Sequence, residues 1–303
     1  MGPLQLRSTP RAAQEEQRDQ RDLMATELPP QRVTVIRPTR GWVPVNLREV
    51  WGYRELLYFL VWRDVKVRYK QTVLGVAWGI IQPLFMAILF SVIFGQLAGI
   101  SADGAPYVLF AFVALLPWNL FAKGLSEGST SLVSNERLVT KVFFPRLILP
   151  ASAVVAGLVD FTIGFGVLVA LMLYFGAVPT IAILALPLFV LVAVVAAMGI
   201  AFCLSAIDAR FRDVRYTLPF LTQLWFFATP VVYPISLVPE AWRSLYALNP
   251  MVGVVEGFRW ALLGATWTLD PALMVLSLTG VLGIFLVGLF YFARTERVFA
   301  DTV

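Results

Sequence analysis

The feature that most constrains this chain is a run of 25 residues without a charged side chain, Val73 to Leu97. About 20 apolar residues cross the hydrocarbon core of a bilayer, so this run is long enough to span a membrane. Four cationic residues precede it: Arg63, Lys66, Arg68 and Lys70. Because cationic loops stay on the cytoplasmic side, we expect this cluster inside and the far end of the span outside.

The composition agrees with a membrane-embedded chain. Of its 303 residues 59% are hydrophobic and only 14% are charged, against about 25% charged in soluble domains. The positive-inside bias and attraction to anionic lipid account for the net charge of +5 without a nucleic-acid partner. The sequence has one cysteine, Cys203, and no histidine, so it predicts neither an intrachain disulfide nor a metal site.

Six apolar segments predict six membrane spans with both termini in the cytoplasm. They are residues 73–97, 107–122, 147–175, 181–207, 217–237 and 271–293. Under this topology 22 of the 24 Lys and Arg residues lie inside, and only Arg243 and Arg259 lie outside. That partition is what the positive-inside rule requires of an alternating topology.

Three regions follow from these patterns, and together they predict an all-α membrane protein. Residues 1–45 are polar and lack the apolar core of a signal peptide, so we expect a disordered cytoplasmic tail and linker. Residues 46–70 combine charges with Trp51, Tyr58 and Trp62, which predicts an amphipathic helix at headgroup depth, or alternatively a soluble packing helix. Residues 71–303 form the six-span domain.

The segment between the fifth and sixth predicted spans favours two short helices that re-enter the outer leaflet. Pro239 suits a first helical turn, Asn249 and Pro250 suit the N-cap and first position of a second helix, and Gly264 suits its end. Glu256 and Arg259 stand three residues apart and can pair within that helix. The candidate outer gate is Asn249, Pro250, Glu256 and Arg259; the alternative is an interfacial lid without a gating role.

Two inside loops combine charge with turn chemistry. Residues 134–146 predict a short helix that ends before span three, with an apolar face of Leu138, Val139, Val142 and Phe143 suited to a groove in a cytoplasmic partner. The second loop is a charged turn containing Asp208, Arg210, Arg212 and Asp213, which could equally be a solvated loop that only fixes topology.

Two further features could serve transport. Asp160 is the acidic residue within a predicted span core, and such a costly carboxylate suggests a function; we expect a structural bond or a pathway-lining role rather than proton coupling. The cluster Arg63, Lys66, Arg68 and Lys70 can bind anionic lipid or capture the phosphate of a lipid-linked substrate.

No catalytic constellation is evident. None of the four lysines follows a glycine, which excludes a phosphate-binding loop of the GxxxxGK[ST] type. Any drive by ATP must therefore come from a partner, which would bind the ATP and magnesium.

Three blocks of this sequence resemble one family. RDVKVRYKQTVLGVAWGIIQP, LLPWNLFAKGLSEGSTSLVSNERLVTKVFFPRLILP and ATPVVYPISLVPEAWRSLYALNPMVGVVEGFRWALL resemble, in order and spacing, the membrane subunit of ABC-2-type polysaccharide exporters. These permeases export O-antigen, capsule or teichoic-acid chains. The resemblance covers about Leu47 to Arg294.

The resemblance implies a homodimer in the plasma (inner) membrane, paired with two copies of an ATP-binding subunit. It implies that the segment around Asn135, Glu136, Arg137, Lys141, Phe144, Pro145 and Arg146 contacts the ATPase. It also implies that an undecaprenyl-pyrophosphate-linked polysaccharide loads near the cationic cluster.

Three alternatives remain open at this point. The first is an ABC-2 permease for small amphiphiles or other lipids. The second is a membrane glycosyltransferase, for which Asp208 and Asp213 are the nearest acidic pair. The third is a secondary transporter, for which only Asp160 offers a midplane ligand.

Overall fold

The computed structural model describes residues 47–70, 75–211, 213–264 and 270–296, and all regular structure in these ranges is helical. The predicted tail 1–45, Asn46 and Arg212 lie outside the described residues. The α-helices are α1 Leu47–Gly52, α2 Arg54–Lys70, α3 Gly75–Phe90, α4 Tyr107–Ser134, α5 Glu136–Lys141, α6 Ile148–Phe175, α7 Leu186–Asp208, α8 Val214–Phe227, α9 Glu240–Ala247, α10 Pro250–Leu263 and α11 Pro271–Thr295. A π-helical turn, Ser91–Leu97, continues α3, and a 3₁₀ turn, Ile181–Ala185, leads into α7.

Five stretches are long and apolar enough to cross a membrane, which makes this a multi-pass membrane protein. They are Ala77–Leu97, Tyr107–Ser134, Ile148–Phe175, Ile181–Asp208 and Pro271–Thr295. The predicted segments 73–97, 107–122, 147–175, 181–207 and 271–293 fall on these helices. Helix α4 is the most buried of them and forms the centre of the bundle, packed against α6 and α7.

The helix of the second predicted span extends twelve residues beyond residue 122, where the apolar segment ends. Helix α4 continues through Lys123 and Glu127 to Ser134. The apolar run stops at Lys123, but no proline follows it in the helix. Gly124 and Gly128 lie where α4 packs closely against α6 and α7, and Lys123 and Glu127 both find partners in neighbouring helices. These charged residues therefore lie on a membrane helix rather than in a loop.

The fifth predicted segment, residues 217–237, differs most from expectation because it is not one continuous helix. Helix α8 ends at Phe227, and turns follow it. The segment from Arg215 to Val232 still runs the length of the bundle. Arg215 pairs with Asp208, the last residue of α7. At the other end of the bundle, the hydroxyl of Tyr107, the first residue of α4, donates to the carbonyl of Val232. The two short helices that were predicted to follow are α9 and α10.

The predicted amphipathic helix before the first span is interrupted near Gly52, where the amide of Tyr53 donates to Val50 in a tight turn. Leu60 is fully buried against the inner end of the bundle, whereas Trp51, Tyr58 and Trp62 are exposed. The helix thus anchors one residue and exposes large aromatics, and its depth at the headgroups stays a prediction.

Glycines bring α7 and α11 into backbone contact. A Cβ on Gly199 would lie 2.6 Å from the Cα of Phe285, and a Cβ on Gly288 would overlap the carbonyl oxygen of Gly199. Small residues allow membrane helices to approach this closely. In contrast, Gly79 of α3 has open space beside it: a Cβ there would meet no atom of another described helix within 4 Å.

We predict that Gly288→Ala destabilises the bundle. The new methyl group meets rigid backbone, and overpacking of this kind costs about 1–3 kcal/mol. Thermal unfolding of the detergent-solubilised chain should show a lower midpoint. Gly283→Ala is the matched control, because it makes the same change on the same helix where no atom lies within 4 Å. Equal midpoints for the two variants would contradict the close approach.

Candidate functional site

A cluster of charged side chains joins α2, α4 and α6. Arg68, near the end of α2, donates to both Asp160 of α6 and Glu127 of α4. The Tyr69 hydroxyl also donates to Asp160, and the Lys123 ammonium lies 2.8 Å from the same carboxylate. Two cations and two carboxylates thus neutralise one another between three helices.

Asp160, which we expected to make a structural bond or to line a pathway, therefore bonds to two neighbouring helices. Glu127 is a second acidic residue beside Asp160, and Lys123 is a nearby lysine. The second predicted span ended at residue 122, which left both residues in the loop that follows it. Their spacing of four residues, which places side chains on one face of a helix, was the signal that could have identified them. Burial and the bond to Asp160 raise the pKa of Tyr69, so its hydroxyl stays protonated and serves as a donor.

The cationic cluster that was predicted to bind anionic lipid or to capture the phosphate of a substrate separates into two kinds of residue. Arg68 is committed to the carboxylates, and Arg63 pairs with its neighbour Asp64 at 2.8 Å. Lys66 and Lys70 are exposed on the surface of α2. These two lysines are the members best placed to meet an anionic ligand.

The first inside loop forms the predicted short helix, α5, and presents a mixed surface. Glu136, Arg137 and Lys141 are exposed, and Val142 and Phe143 beyond the helix are also exposed, at 51% and 64%. Val139 points inward. An apolar pair beside both signs of charge has the character of a docking surface for another protein.

The flanks of this loop hold it to the bundle. Asn135 donates from its amide to the carbonyl of Ser131 at 2.8 Å, and Pro145 is half-buried. Phe144 is buried in the cluster that contains Leu60, so its side chain lies beneath the surface. Arg146 donates to Glu296 through its backbone amide and its guanidinium, at 2.9 and 2.8 Å, which ties the loop to the end of α11.

The second inside loop is held by an ion pair that sequence reasoning missed. The buried carboxylate of Asp208 accepts from Nε of Arg215 at 3.1 Å. Arg210 lies over the ring of Phe211, 5.3 Å from its centroid, and the backbone carbonyl of Asp213 accepts from the first turn of α8. The side chain of Asp208 is therefore committed to an ion pair that joins α7 and α8.

At the opposite end of the bundle, the predicted pair within α10 is confirmed. Arg259 donates to Glu256 at 2.9 Å. Arg259 is fully buried: its guanidinium carbon lies 3.7 Å from the ring centroid of Phe110, and it donates to the carbonyl of Val231 at 2.9 Å. One side chain therefore ties α10 to α4 and to the turn after α8.

Asn249 caps α10 as predicted and also reaches α8. Its carboxamide oxygen accepts from the amide of Met251 at 3.0 Å and from the indole of Trp225 at 2.9 Å. Its amide nitrogen donates to the carbonyl of Ala228 and the hydroxyl of Thr229. Pro250 occupies the first helical position and accepts a bond from Ser277 of α11 through its carbonyl.

Comparisons with known proteins place this geometry in context. Residues 55–263 match the model of the family described as ABC-2 type transporter. The chain is similar to the O-antigen export system permease protein RfbA of Myxococcus xanthus, at 35% identity over 70% of this chain and 82% of that protein.

More distant relatives include two proteins of Escherichia coli. The polysialic acid transport protein KpsM is 23% identical over 77% of this chain and 91% of that protein. The inner membrane transport permease YadH of strain K12 is 24% identical over 70% of this chain and 84% of that protein.

We predict that Arg68→Met destabilises the chain much more than Lys66→Met. Both changes remove one cation from α2, but only the first leaves Asp160 and Glu127 short of a partner. The side chains of Arg68 and Asp160 are about four-fifths buried, so we expect a loss of about 2 kcal/mol, between the values for surface and buried pairs. Thermal unfolding midpoints in nanodiscs measure the difference. Equal midpoints would show that the cluster does not hold α2 to the bundle.

Proposed function

The chain belongs to the ABC-2 type transporter family, and from that premise we propose that it is the transmembrane subunit of an ATP-driven exporter of lipid-linked polysaccharide. Permeases of this family are not themselves catalytic, and membership implies a separate ATP-binding subunit. The observation that carries the cargo assignment is the similarity, over 82% of its length, to a permease named for O-antigen export.

The working unit that we propose is a homodimer with two ATP-binding subunits, which bind the ATP and magnesium. The surface of Glu136, Arg137, Lys141, Val142 and Phe143 would dock on the ATPase. Its exposed apolar residues and mixed charges support this assignment, as does its anchorage through Arg146 to the end of α11. Asn135, Phe144 and Pro145 would support that surface from beneath and beside it.

The proposed substrate carries an undecaprenyl-pyrophosphate group, which loads at the cytoplasmic face. Lys66 and Lys70 are exposed on the same helix as the headgroup-depth aromatics, where ammonium groups pair with phosphate oxygens. Arg68 would contribute indirectly, because it fixes the end of α2 through its carboxylate partners. Anionic lipid would compete for the same lysines.

We propose six crossings in the inner membrane, with both termini in the cytoplasm. The five long helices supply five of them, and α8 with the turns to Val232 supplies the other. Contacts at its two ends, Arg215 with Asp208 and Val232 with Tyr107, support this path. Helices α9 and α10 then form a re-entrant pair in the outer leaflet, and Asn249, Pro250, Glu256 and Arg259 act as the outer gate.

A second candidate is an ABC-2 permease for small amphiphiles or other lipids. The similarity to YadH, whose name specifies no cargo, favours it. Both candidates share the fold and the ATPase partner, so a direct assay of cargo separates them.

We predict that proteoliposomes containing this chain and its ATP-binding subunit move lipid-linked polysaccharide on addition of ATP. The variant Glu136→Ala/Arg137→Ala should lose about tenfold or more of this transport, because it removes charges from the docking surface. The matched control is Glu240→Ala/Arg243→Ala, an acidic and a basic residue of the short helix α9 at the other end of the bundle. Transport of a small amphiphile but no glycan would establish the second candidate instead.

The same assay tests the lysines. Lys66→Ala/Lys70→Ala should raise the concentration of lipid-linked glycan needed for half-maximal ATPase stimulation, while Arg54→Ala at the start of α2 should not. An unchanged half-maximal concentration would exclude phosphate capture at these lysines.

We predict that Ser236→Cys reacts with an impermeant thiol reagent from outside the cell, and Thr140→Cys only from the cytoplasm. Both residues are small, hydroxylated and exposed, and Cys203→Ala provides the background. Six crossings place Ser236 outside, whereas five would place it on the cytoplasmic side with Thr140. Reaction of both cysteines from the same side would therefore contradict the sixth crossing.

A further inference from the structure

We propose that a polar cavity between α3, α4 and α6 binds sugar residues of the exported glycan within the depth of the membrane; this inference rests on the proposed function. The cavity has a volume of about 400 Å³, within the range of ~300–1,000 Å³ typical of small-ligand sites. Its polar lining comprises Gln82, Asn119, Lys123, Ser126, Glu127 and Asp160.

The polar residues on α4 form a stripe. Asn119, Lys123 and Ser126 are spaced by four and three residues, so they share one face of the helix. Asn119 and Ser126 are exposed, although the residues from Leu109 to Trp118 on the same helix are buried. The stripe faces Asp160 of α6 across the cavity.

This stripe lies at the depth of the hydrocarbon core. Helix α4 has 28 residues and is therefore ~42 Å long at 1.5 Å per residue, against a hydrocarbon thickness of ~30 Å. Wherever a layer of ~30 Å lies within the ~42 Å of α4, it includes the positions from ~12 to ~30 Å from the start of the helix. Asn119 lies ~18 Å and Lys123 ~24 Å from Tyr107.

Exposed polar groups at this depth require a polar covering. An amide in contact with acyl chains loses its hydrogen bonds to water and leaves them unreplaced. Within the described ranges, the side chains of Gln82 and Asn119 make no hydrogen bond to the protein. Water or a polar ligand is therefore expected to occupy the cavity.

The chemistry of the lining favours a neutral, hydroxyl-rich ligand. The charges of Glu127 and Asp160 are balanced by Lys123 and Arg68, so the site has no net charge to attract a phosphate. A metal cation would have to displace both cations from the carboxylates. Amide groups both donate and accept, as sugar hydroxyls require.

An aromatic ring completes the lining and connects it to the outer gate. Phe161, also part of the cavity wall, offers an apolar surface of the kind on which the C–H face of a sugar packs. Its ring meets that of Phe258 edge to face, with centroids 6.1 Å apart. Phe258 precedes Arg259 on α10, so the cavity borders the helix that forms the proposed gate.

Cysteine reactivity tests the proposal on the complex with its ATPase in nanodiscs, in a Cys203→Ala background. Asn119→Cys should react with a charged, impermeant methanethiosulfonate reagent at least about tenfold faster than Leu191→Cys, because thiolates form in water and not in lipid. Leu191 is the matched control, since it is exposed on α7 at a depth similar to that of Asn119. Gly124 and Gly128 of α4 pack beside Ala197 and Ala201 of α7, and the same offset places Leu191 level with the residue before Asn119.

A compound that binds in the cavity should slow the reaction of the cysteine at position 119, and this protection identifies the ligand. Free polysaccharide, released from its carrier by mild acid, should slow the reaction at Asn119→Cys by threefold or more. A slow reaction equal to that of Leu191→Cys would overturn the proposal, because lipid or a second copy would then cover the stripe. Protection by undecaprenyl pyrophosphate alone, or by neither compound, would also overturn it.

A functional variant provides an independent measure. Asn119→Leu removes the amide at similar volume and should raise the glycan concentration for half-maximal ATPase stimulation by about three- to tenfold, the effect of one or two lost hydrogen bonds. Thr162→Val is the control, because its exposed hydroxyl bonds to Leu158 of its own helix outside the cavity. An unchanged value for Asn119→Leu would count against the site.

The two proposals fail separately. If wild-type proteoliposomes transport glycan but polysaccharide gives no protection, export stands and this site falls. If they transport no glycan while polysaccharide still protects Asn119→Cys, the sugar site stands and the export function falls.

Discussion

The fold depends on satisfying three backbone carbonyls where α8 stops inside the bundle. A helix end leaves carbonyl groups without partners, and the membrane interior supplies no water to bond them. Here Asn249 donates to Ala228, Arg259 donates to Val231, and the Tyr107 hydroxyl donates to Val232. Two of these donors come from α10. The break in α8 and the position of α10 therefore depend on each other, and displacement of α10 would expose the backbone that it satisfies.

The same constraint explains the charged cluster at the inner side. Asp160 and Glu127 are on membrane helices, where an unpaired carboxylate is costly. Arg68 and Lys123 neutralise them, and Arg68 comes from α2, outside the long spans. Helix α2 is thereby fastened to α4 and α6. Because Arg146 similarly joins the first inside loop to the end of α11 through Glu296, the inner face is a set of linked elements.

Local sequence patterns predicted the helices well. They could not predict the site, because its ion pairs join residues that are far apart in the sequence. Asn249, Pro250 and Gly264 specified both ends of α10 through capping chemistry that depends on neighbouring residues alone. The end of α4 was missed because the apolar segment was ended at the charged residue Lys123. A charged residue can lie within a helix of the bundle when an oppositely charged side chain is nearby, as Asp160 is here. Arg68 with Asp160 and Arg215 with Asp208 join residues whose proximity only the folded bundle reveals.

The charge pattern alone could not have decided how many times the chain crosses. With six crossings Arg243 and Arg259 are the two outside cations; with five they would exchange sides with Arg294 and Arg297, and 22 of 24 cations would still lie inside. Contacts within the bundle support the six crossings that we propose. Arg215 and Val232 touch opposite ends of the bundle, and Arg259 is buried beside Phe110 near the same end as Val232. A buried arginine that serves the backbone contributes nothing to the positive-inside bias, so Arg259 should be left out of that count.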